Sequence, residues 1–174
     1  MRYRRSDISG ATYFFTVILA DRRKTLLLDH VDVLREAIKK VKQNHPFHID
    51  AIVIMPNHLH AMWTLPKDDA DFSKRWGLIK ANFSRGIENT ETISASRINR
   101  GERGIWQRRF WEHLIRDDND YERHVDYIHY NPVKHKYVKT PTDWQYSSVH
   151  RFIEKGLVVP DWGAWKEADG EYGE

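Results

Sequence analysis

The pattern of apolar and polar residues divides the first half of the chain into strands and a helix. The segment Ala11–Ala20 is rich in β-branched and aromatic residues, which is typical of a strand. Apolar residues at helical spacing predict a helix over residues 29–44. Residues 47–55 and 58–65 again have strand composition, and the dipeptide Pro56–Asn57 between them predicts a tight antiparallel hairpin.

The second half of the chain shows the same alternation. Apolar residues at intervals of three or four predict a second long helix over residues 71–87. Residues 88–104 are polar and predict a long loop or a frayed helical extension. Strand composition returns over residues 105–116. Capping residues and a final proline predict a third long helix over residues 117–132, and a short outer helix follows within 147–156.

The order of these elements predicts the fold class. The succession β-α-β-β-α-β is the split βαβ arrangement, a ferredoxin-like (RRM-like) α+β fold in which a four-stranded antiparallel sheet carries two helices on one face. An additional C-terminal helix follows. The other face of the sheet is expected to be open and to carry the site. We interpret residues 1–174 as one domain, with a peripheral acidic tail at about residues 164–174.

Composition narrows the possible chemistry. The chain has no cysteine, which excludes thiolate metal sites, cysteine nucleophiles and disulfides. Its formal net charge is +3 and its pI is about 9.0. Because acidic residues gather in the tail, the body is more basic than the total indicates. The apolar segments are too short for a signal peptide or membrane span, so we expect a cytoplasmic protein.

Basic residues are clustered in a way that suits contact with phosphate groups. The residues that we assign to nucleic-acid binding are Arg4, Arg5, Arg22, Arg108 and Arg109. Solvated basic faces are also common in proteins that bind no nucleic acid. The seven tryptophans could stack on bases, although tryptophans more often lie in the core.

His58 and His60 stand two positions apart in the third predicted strand. Side chains at this spacing point to the same side of a sheet, whereas Leu59, Ala61 and Trp63 face the other side. Two imidazoles placed in this way can share one cation, although histidines in strands are equally often structural. Because the chain has no cysteine, a zinc site would need a third histidine or a carboxylate.

Tyr127 and Asn131 are four residues apart in the third predicted long helix and therefore share a face. The amide oxygen is a possible metal ligand, and a tyrosine phenol can form a covalent intermediate. A divalent cation can polarise a phosphoryl oxygen, so this combination fits phosphodiester cleavage. Tyr121 and Tyr130 are rival candidates. Tyr130 only partly shares the face of Tyr127, and Tyr121 lies farther from Asn131.

The ordered set of these motifs resembles a known family. Two histidines that flank a bulky hydrophobic residue, HLH at residues 58–60, are typical of the single-tyrosine HUH transposases. The runs MPNHLHAMWTLP, WQRRFWEHLIRDD and HVDYIHYNPVKH are similar, more closely, to the REP-associated tyrosine transposases of bacteria. The similarity covers most of the chain.

This resemblance implies a metal-dependent single-stranded DNA endonuclease and strand transferase. Tyr127 matches the nucleophile that forms a 5′-phosphotyrosine link and leaves a free 3′-hydroxyl. His58 and His60 match the metal ligands, Asn131 matches the polar residue that completes the site, and Mg²⁺ or Mn²⁺ is the expected ion. Family members recognise hairpins of repetitive extragenic palindromes (REP), and RYRR at residues 2–5 is expected to assist. No nucleotide or organic cofactor is expected.

Other features leave alternatives open. Lys136 stands where the family pattern leads us to expect glycine, which affects the turn after the third helix. His113 and His124 are further imidazoles near the inferred site, with a structural or phosphate-contacting role.

One alternative function is a hairpin-binding protein in which the catalytic set is idle, and a less favoured one is a rolling-circle replication initiator. We expect a monomer or a homodimer, and favour the monomer.

Overall fold

The structure, a computed structural model, describes residues 7–163. One antiparallel sheet has the spatial order β2-β3-β1-β4. Its strands are β1 (Thr12–Ile18), β2 (His48–Ile54), β3 (His58–Thr64) and β4 (Trp111–Leu114). This order, with two helices in the connections, is that of a ferredoxin-like α+β fold, so the predicted fold class is confirmed.

The helices also follow the predicted succession. They are α1 (Leu26–Asp29), α2 (Val31–Asn44), α3 (Phe72–Arg85), α4 (Ala95–Ile98), α5 (Asp118–Lys134) and α6 (Val149–Glu154), with a 3-10 turn at Pro141–Asp143. Residues 88–104 form a loop that is interrupted by the short α4. Within the described part of the chain, none of the helices has both the length and the apolar character needed to cross a membrane.

The predicted strand at residues 105–116 is much shorter in the structure. Only the four residues of β4 pair with β1. Upstream of them, Trp106 forms an isolated bridge with Leu19, and the basic stretch between Trp106 and β4 leaves the sheet. Strand composition alone therefore overestimated the length of this edge strand.

Helices α2 and α3 pack on one face of the sheet. Leu59, Ala61 and Trp63 lie in this core, as the alternation along β3 predicts. Trp63 stacks on Trp76 of α3, with ring centroids 4.2 Å apart. Burial of side chains of this size contributes about 1.5–3 kcal/mol each, so this face fixes the orientation of β3.

The opposite face of the sheet is covered by α5, and the expectation of an open face is wrong. Val125 and Ile128 of α5 form a buried cluster with Phe14 and Met62 of the sheet. The physical reason is that this face carries large apolar side chains as well as the histidines, and these side chains require a cover. The candidate site therefore lies between the sheet and a helix.

Helix α5 extends two residues past Pro132, so the expected end of the helix at this proline is wrong. The proline costs one hydrogen bond near the end of the helix, which the final turn tolerates. The turn is closed by Tyr137 N–H donating to the carbonyl of Pro132 and by Lys136 N–H donating to the carbonyl of Val133, at 3.0 and 2.9 Å. Lys136 has φ of 61°, in the left-handed region that glycine adopts most easily.

Candidate active site between the sheet and helix α5

His58 and His60 lie on β3 with their rings close together, as the spacing of two residues along a strand predicts. The ring centroids are 5.1 Å apart, and both residues are buried. On the neighbouring strand β1, His60 is paired with Thr16 and His58 with Ile18. The pair therefore lies inside the protein, on the sheet face that α5 covers.

A chain of two hydrogen bonds indicates which nitrogen of the His58 ring carries hydrogen. Nδ1 of His58 lies 2.7 Å from Oδ1 of Asn57. The amide nitrogen of Asn57 donates to the carbonyl oxygen of Arg22. Because the amide nitrogen is used in this way, Asn57 presents its oxygen to the ring, and Nδ1 of His58 donates. When the imidazole is neutral, its lone pair is then on the buried Nε2, the atom that could bind a cation.

The ring of His60 is oriented by Thr16. Nδ1 of His60 lies 2.9 Å from Oγ1 of Thr16, and both residues are completely buried. A hydrogen bond to one imidazole nitrogen is usual where the other nitrogen binds a metal, because the bond fixes the ring. The His60 ring also stacks on Phe14, with centroids 5.5 Å apart, and meets the ring of Tyr127 edge-on at 5.2 Å.

Helix α5 contributes the opposite wall of the site. Tyr127 contacts His60, and two turns later His135 contacts His58, with ring centroids 5.1 Å apart. Asn131 is completely buried and stands on the turn between Tyr127 and His135. Since side chains four residues apart share a face of a helix, Asn131 shares the face of α5 that carries Tyr127 and His135. The structure thus brings His58, His60 and Tyr127 into contact, with Asn131 buried one turn after Tyr127.

The hydroxyl group of Tyr127 accepts a hydrogen bond from a cationic side chain. Nζ of Lys134 lies 3.0 Å from this oxygen and 4.8 Å from the centroid of the ring. Tyr127 is only 4% exposed, whereas Lys134 is exposed. The phenolic oxygen therefore lies at the margin of the buried cluster, beside a charge that is in contact with solvent.

Tyr121, a rival candidate for the nucleophile, is unsuited to this role. Its hydroxyl donates to Oδ1 of Asp50 at 3.1 Å. Burial and the nearby carboxylate raise the pKa of Tyr121 to about 12. A phenolate at this position would face a negative charge, whereas the oxygen of Tyr127 faces the ammonium group of Lys134.

A second cluster of possible metal ligands lies at the first turns of α5. Donor atoms of His113, Asp120 and His124 lie within 4.8 Å of one another. Asp120 already accepts hydrogen bonds from Nε2 of His113 at 2.8 Å and from the amide of Arg116 at 3.0 Å. Nδ1 of His124 lies 2.7 Å from the Asp120 carbonyl oxygen. Nitrogen atoms of both histidines are thus already engaged with Asp120, so we interpret the cluster as a hydrogen-bond network that anchors α5 to β4.

The protonation of this cluster agrees with that interpretation. Burial opposes ionisation of Asp120, but the hydrogen bonds from His113 and from the Arg116 amide outweigh it and lower the pKa to about 2. Burial lowers the pKa of His124 below its ordinary value. The His124 ring also lies 4.8 Å from the ring of Phe14, which separates this network from His60.

A basic cavity opens beside the turn that precedes β3. Arg22 is exposed in the loop after β1, and its carbonyl oxygen holds Asn57, the neighbour of His58. The cavity has a volume of about 750 Å³, and its basic lining residues are Arg22, Arg23, Lys24 and Arg97. Arg23 is engaged by Asp21 at 3.0 Å. Arg22 makes no ion pair with any residue from 7 to 163, so its charge is available to a phosphate group.

The other arginines predicted to bind nucleic acid differ in whether their charge is offset by a carboxylate. Arg108 donates to Glu102 at 2.8 Å, and this carboxylate offsets its charge. Arg109 is exposed just before β4. Arg4 and Arg5 lie outside the described residues.

Sequence reasoning did not identify Lys134 and His135 as members of the site. The expectation that the helix ends at Pro132 left both outside it. Lys134 and His135 follow Tyr127 by seven and eight residues, which is about two helical turns. This spacing was the signal that could have found them.

The chain is similar to a family of transposases and to individual transposases of known sequence or structure. The family described as "Transposase IS200 like" matches residues 7–131. A REP-associated tyrosine transposase of Escherichia coli (strain K12) is 48% identical over 160 residues, which cover 92% of this chain and 89% of the relative. A putative REP-associated tyrosine transposase of Haemophilus influenzae is 44% identical over 162 residues, which cover 92% of each chain. The solved structure of a REP-associated tyrosine transposase bound to a REP hairpin is 45% identical, with a TM-score of 0.84, and covers 99% of this chain and 98% of that one.

Proposed function

The chain belongs to the family of IS200-like transposases, and on this premise we propose that it cleaves and rejoins single-stranded DNA at palindromic hairpins through a 5′-phosphotyrosine intermediate. The family that the sequence motifs predict is confirmed. The REP hairpin bound by the structural relative supports a hairpin substrate for this chain as well.

Tyr127 is the nucleophile of the proposed reaction. Its phenolic oxygen attacks a DNA phosphorus atom, the bond between phosphorus and the 3′-oxygen breaks, and the phenol proton passes through solvent to that oxygen. The observation that carries this assignment is the position of Tyr127, with its ring against His60 and its hydroxyl against Lys134. Rejoining is the reverse reaction with a 3′-hydroxyl as nucleophile, so no nucleotide cofactor is needed.

His58, His60 and Asn131 are the residues that would hold Mg²⁺ or Mn²⁺. They fit a cation because His58 offers a lone pair on a buried Nε2 and because Thr16 fixes the ring of His60. Two imidazoles and one amide oxygen leave coordination positions open for substrate. When bound, such an ion would polarise a phosphoryl oxygen and stabilise the charge that develops on the leaving 3′-oxygen.

The chain binds DNA, in this proposal, through the basic cavity next to the histidine turn. Arg22 and Lys24 line this cavity, and the loop that carries them is tied to Asn57. Phosphate contacts there would place the DNA backbone close to His58. Arg4 and Arg5 are proposed as further contacts on the resemblance alone.

The test is the formation of a covalent adduct. The protein is incubated with an end-labelled single-stranded DNA that contains a REP-type hairpin and Mn²⁺, and the products are separated under denaturing conditions. We expect an adduct that Tyr127→Phe abolishes while hairpin affinity is retained, and that Tyr121→Phe retains as the matched control. Hairpin binding without an adduct, under both Mg²⁺ and Mn²⁺, would favour the alternative of an idle hairpin-binding protein.

A further inference from the structure

Lys134 contacts both the oxygen and the ring of the proposed nucleophile. Its Nζ donates to the Tyr127 hydroxyl at 3.0 Å and lies 4.8 Å from the ring centroid. The hydrogen bond and the attraction between an ammonium group and an aromatic face both hold the cation at this phenol. Both interactions become stronger when negative charge develops on the phenolic oxygen.

The end of α5 is built so that this contact is possible. Lys134 lies seven residues after Tyr127, so the two residues are about 10.5 Å apart along the helix axis on nearly the same face. The lysine chain reaches back towards the start of the helix, the direction in which helical side chains lean. Lys134 is the last residue of α5, and the bonds that Lys136 and Tyr137 donate to the preceding carbonyls close the turn behind it.

We propose that Lys134 is a catalytic residue whose ammonium group carries the charge of the Tyr127 oxygen in both directions of the reaction. This inference rests on the proposed function and deepens it. In cleavage, the bond between the tyrosyl oxygen and phosphorus forms while the bond between phosphorus and the 3′-oxygen breaks. In rejoining, the tyrosyl oxygen is the leaving group. Lys134 donates its hydrogen bond throughout and neither gains nor loses a proton.

A catalytic role and a structural role for Lys134 predict different magnitudes. An exposed lysine contributes little to stability, because its hydrogen bond and charge interactions compete with water. A donor aimed at an oxygen that acquires charge in the transition state changes the rate by about 100- to 1000-fold in a site that excludes water, and for the exposed Lys134 we expect the lower end of this range. Replacement of Lys134 should therefore slow the reaction strongly and leave folding almost unchanged.

The experiment measures single-turnover rates of adduct formation and of rejoining at saturating hairpin DNA with Mn²⁺. The variants are Lys134→Met, Lys134→Arg and the control Lys139→Met, which removes an exposed lysine of the following loop. We expect Lys134→Met to slow both steps by about 100-fold. Lys134→Arg should restore part of the rate because it keeps the charge, and Lys139→Met should react like the unmodified protein.

A second measurement separates charge stabilisation from positioning. Difluorotyrosine is incorporated at position 127, because fluorine makes the phenol a better leaving group and a more stable anion. In rejoining the tyrosyl oxygen is the leaving group, so we expect this change to recover part of the rate of rejoining in Lys134→Met. With Lys134 present, the effect on the rate of rejoining should be smaller. An adduct that forms equally fast in Lys134→Met and in the unmodified protein would overturn the assignment of Lys134 alone. No adduct with the unmodified protein, under any divalent cation, would overturn the proposed function and this assignment with it.

Discussion

The ring of Tyr127 meets the ring of His60 edge-on, with centroids 5.2 Å apart. One ring comes from α5 and the other from β3, so the contact exists only because the helix lies across the sheet. It joins the proposed nucleophile to the proposed metal ligands within one buried cluster.

The location of the cation can be tested by removing one histidine from each cluster. We expect His58→Ala to weaken Mn²⁺ binding by at least about tenfold, since loss of a ligand should cost no less than loss of a supporting hydrogen bond. His113→Ala should leave the affinity nearly unchanged. Isothermal titration with Mn²⁺ measures both. If His113→Ala lost the ion and His58→Ala kept it, the cation would belong to the cluster of His113, Asp120 and His124.

Asp120 should make stability depend on pH in acid. Burial disfavours its ionised form, but hydrogen bonds from His113 and the Arg116 amide lower its pKa from 3.8 to about 2. A carboxyl group with a lowered pKa contributes stability above its unfolded value and loses it as the pH falls through the folded value. We expect Asp120→Asn to lower the free energy of unfolding by about 2 kcal/mol at pH 7.

The same difference should shrink towards zero as the pH approaches about 2. Urea unfolding at several pH values measures it, with Asp118→Asn, an exposed residue of the same turn, as the control. A difference between Asp120→Asn and the unmodified protein that stayed constant down to about pH 2 would show that the charge of Asp120 is not its source.

Lys136 should be a site where glycine stabilises the chain. Its φ of 61° is strained for a residue with a Cβ atom but not for glycine. After the entropy that glycine adds to the unfolded chain is subtracted, Lys136→Gly should raise the free energy of unfolding by roughly 0.5–1 kcal/mol. Lys139→Gly, in the following loop, should give no increase. Chemical denaturation compares the two variants. Destabilisation by Lys136→Gly would contradict the claim that the backbone of Lys136 is strained.

Arg22 should contribute a phosphate contact. We expect Arg22→Gln to weaken hairpin binding and to lower the slope of log affinity against log salt by about one. Lys40→Gln makes the same change in charge on α2, which packs on the face of the sheet away from the histidines. It should leave the slope unaltered. Fluorescence anisotropy with a labelled hairpin at several salt concentrations measures both slopes. Equal slopes for Arg22→Gln and the unmodified protein would move the contact surface elsewhere.

The fold could be predicted from the sequence because its main elements have strong local signals. The alternation along β3 placed His58 and His60 on one face and Trp63 on the other, and the Pro56–Asn57 turn fixed the hairpin. That α5 packs over the histidines could not be deduced from local signals. It depends on where α5 docks, which is decided by long-range packing against Phe14 and Met62.

The site could be predicted only in part, because several of its contacts also depend on long-range packing. Tyr127 and Asn131 could be proposed because they share a face of a predicted helix and match the motif of the family that the sequence resembles. The contacts of His60 with Thr16 and of His58 with Asn57 depend on strand register and turn geometry. Lys134 was missed because a proline usually ends a helix, whereas α5 accommodates Pro132 in its final turn.

The most direct test of the central claim is to identify the residue that carries DNA after reaction with a hairpin substrate. The adduct is digested with protease and nuclease, and the modified peptide is sequenced by mass spectrometry. We predict a 5′-phosphate linked to Tyr127, with no modification at Tyr121 or Tyr130. A nucleotide attached to any other residue, or cleavage that leaves the protein unmodified, would contradict the proposed mechanism.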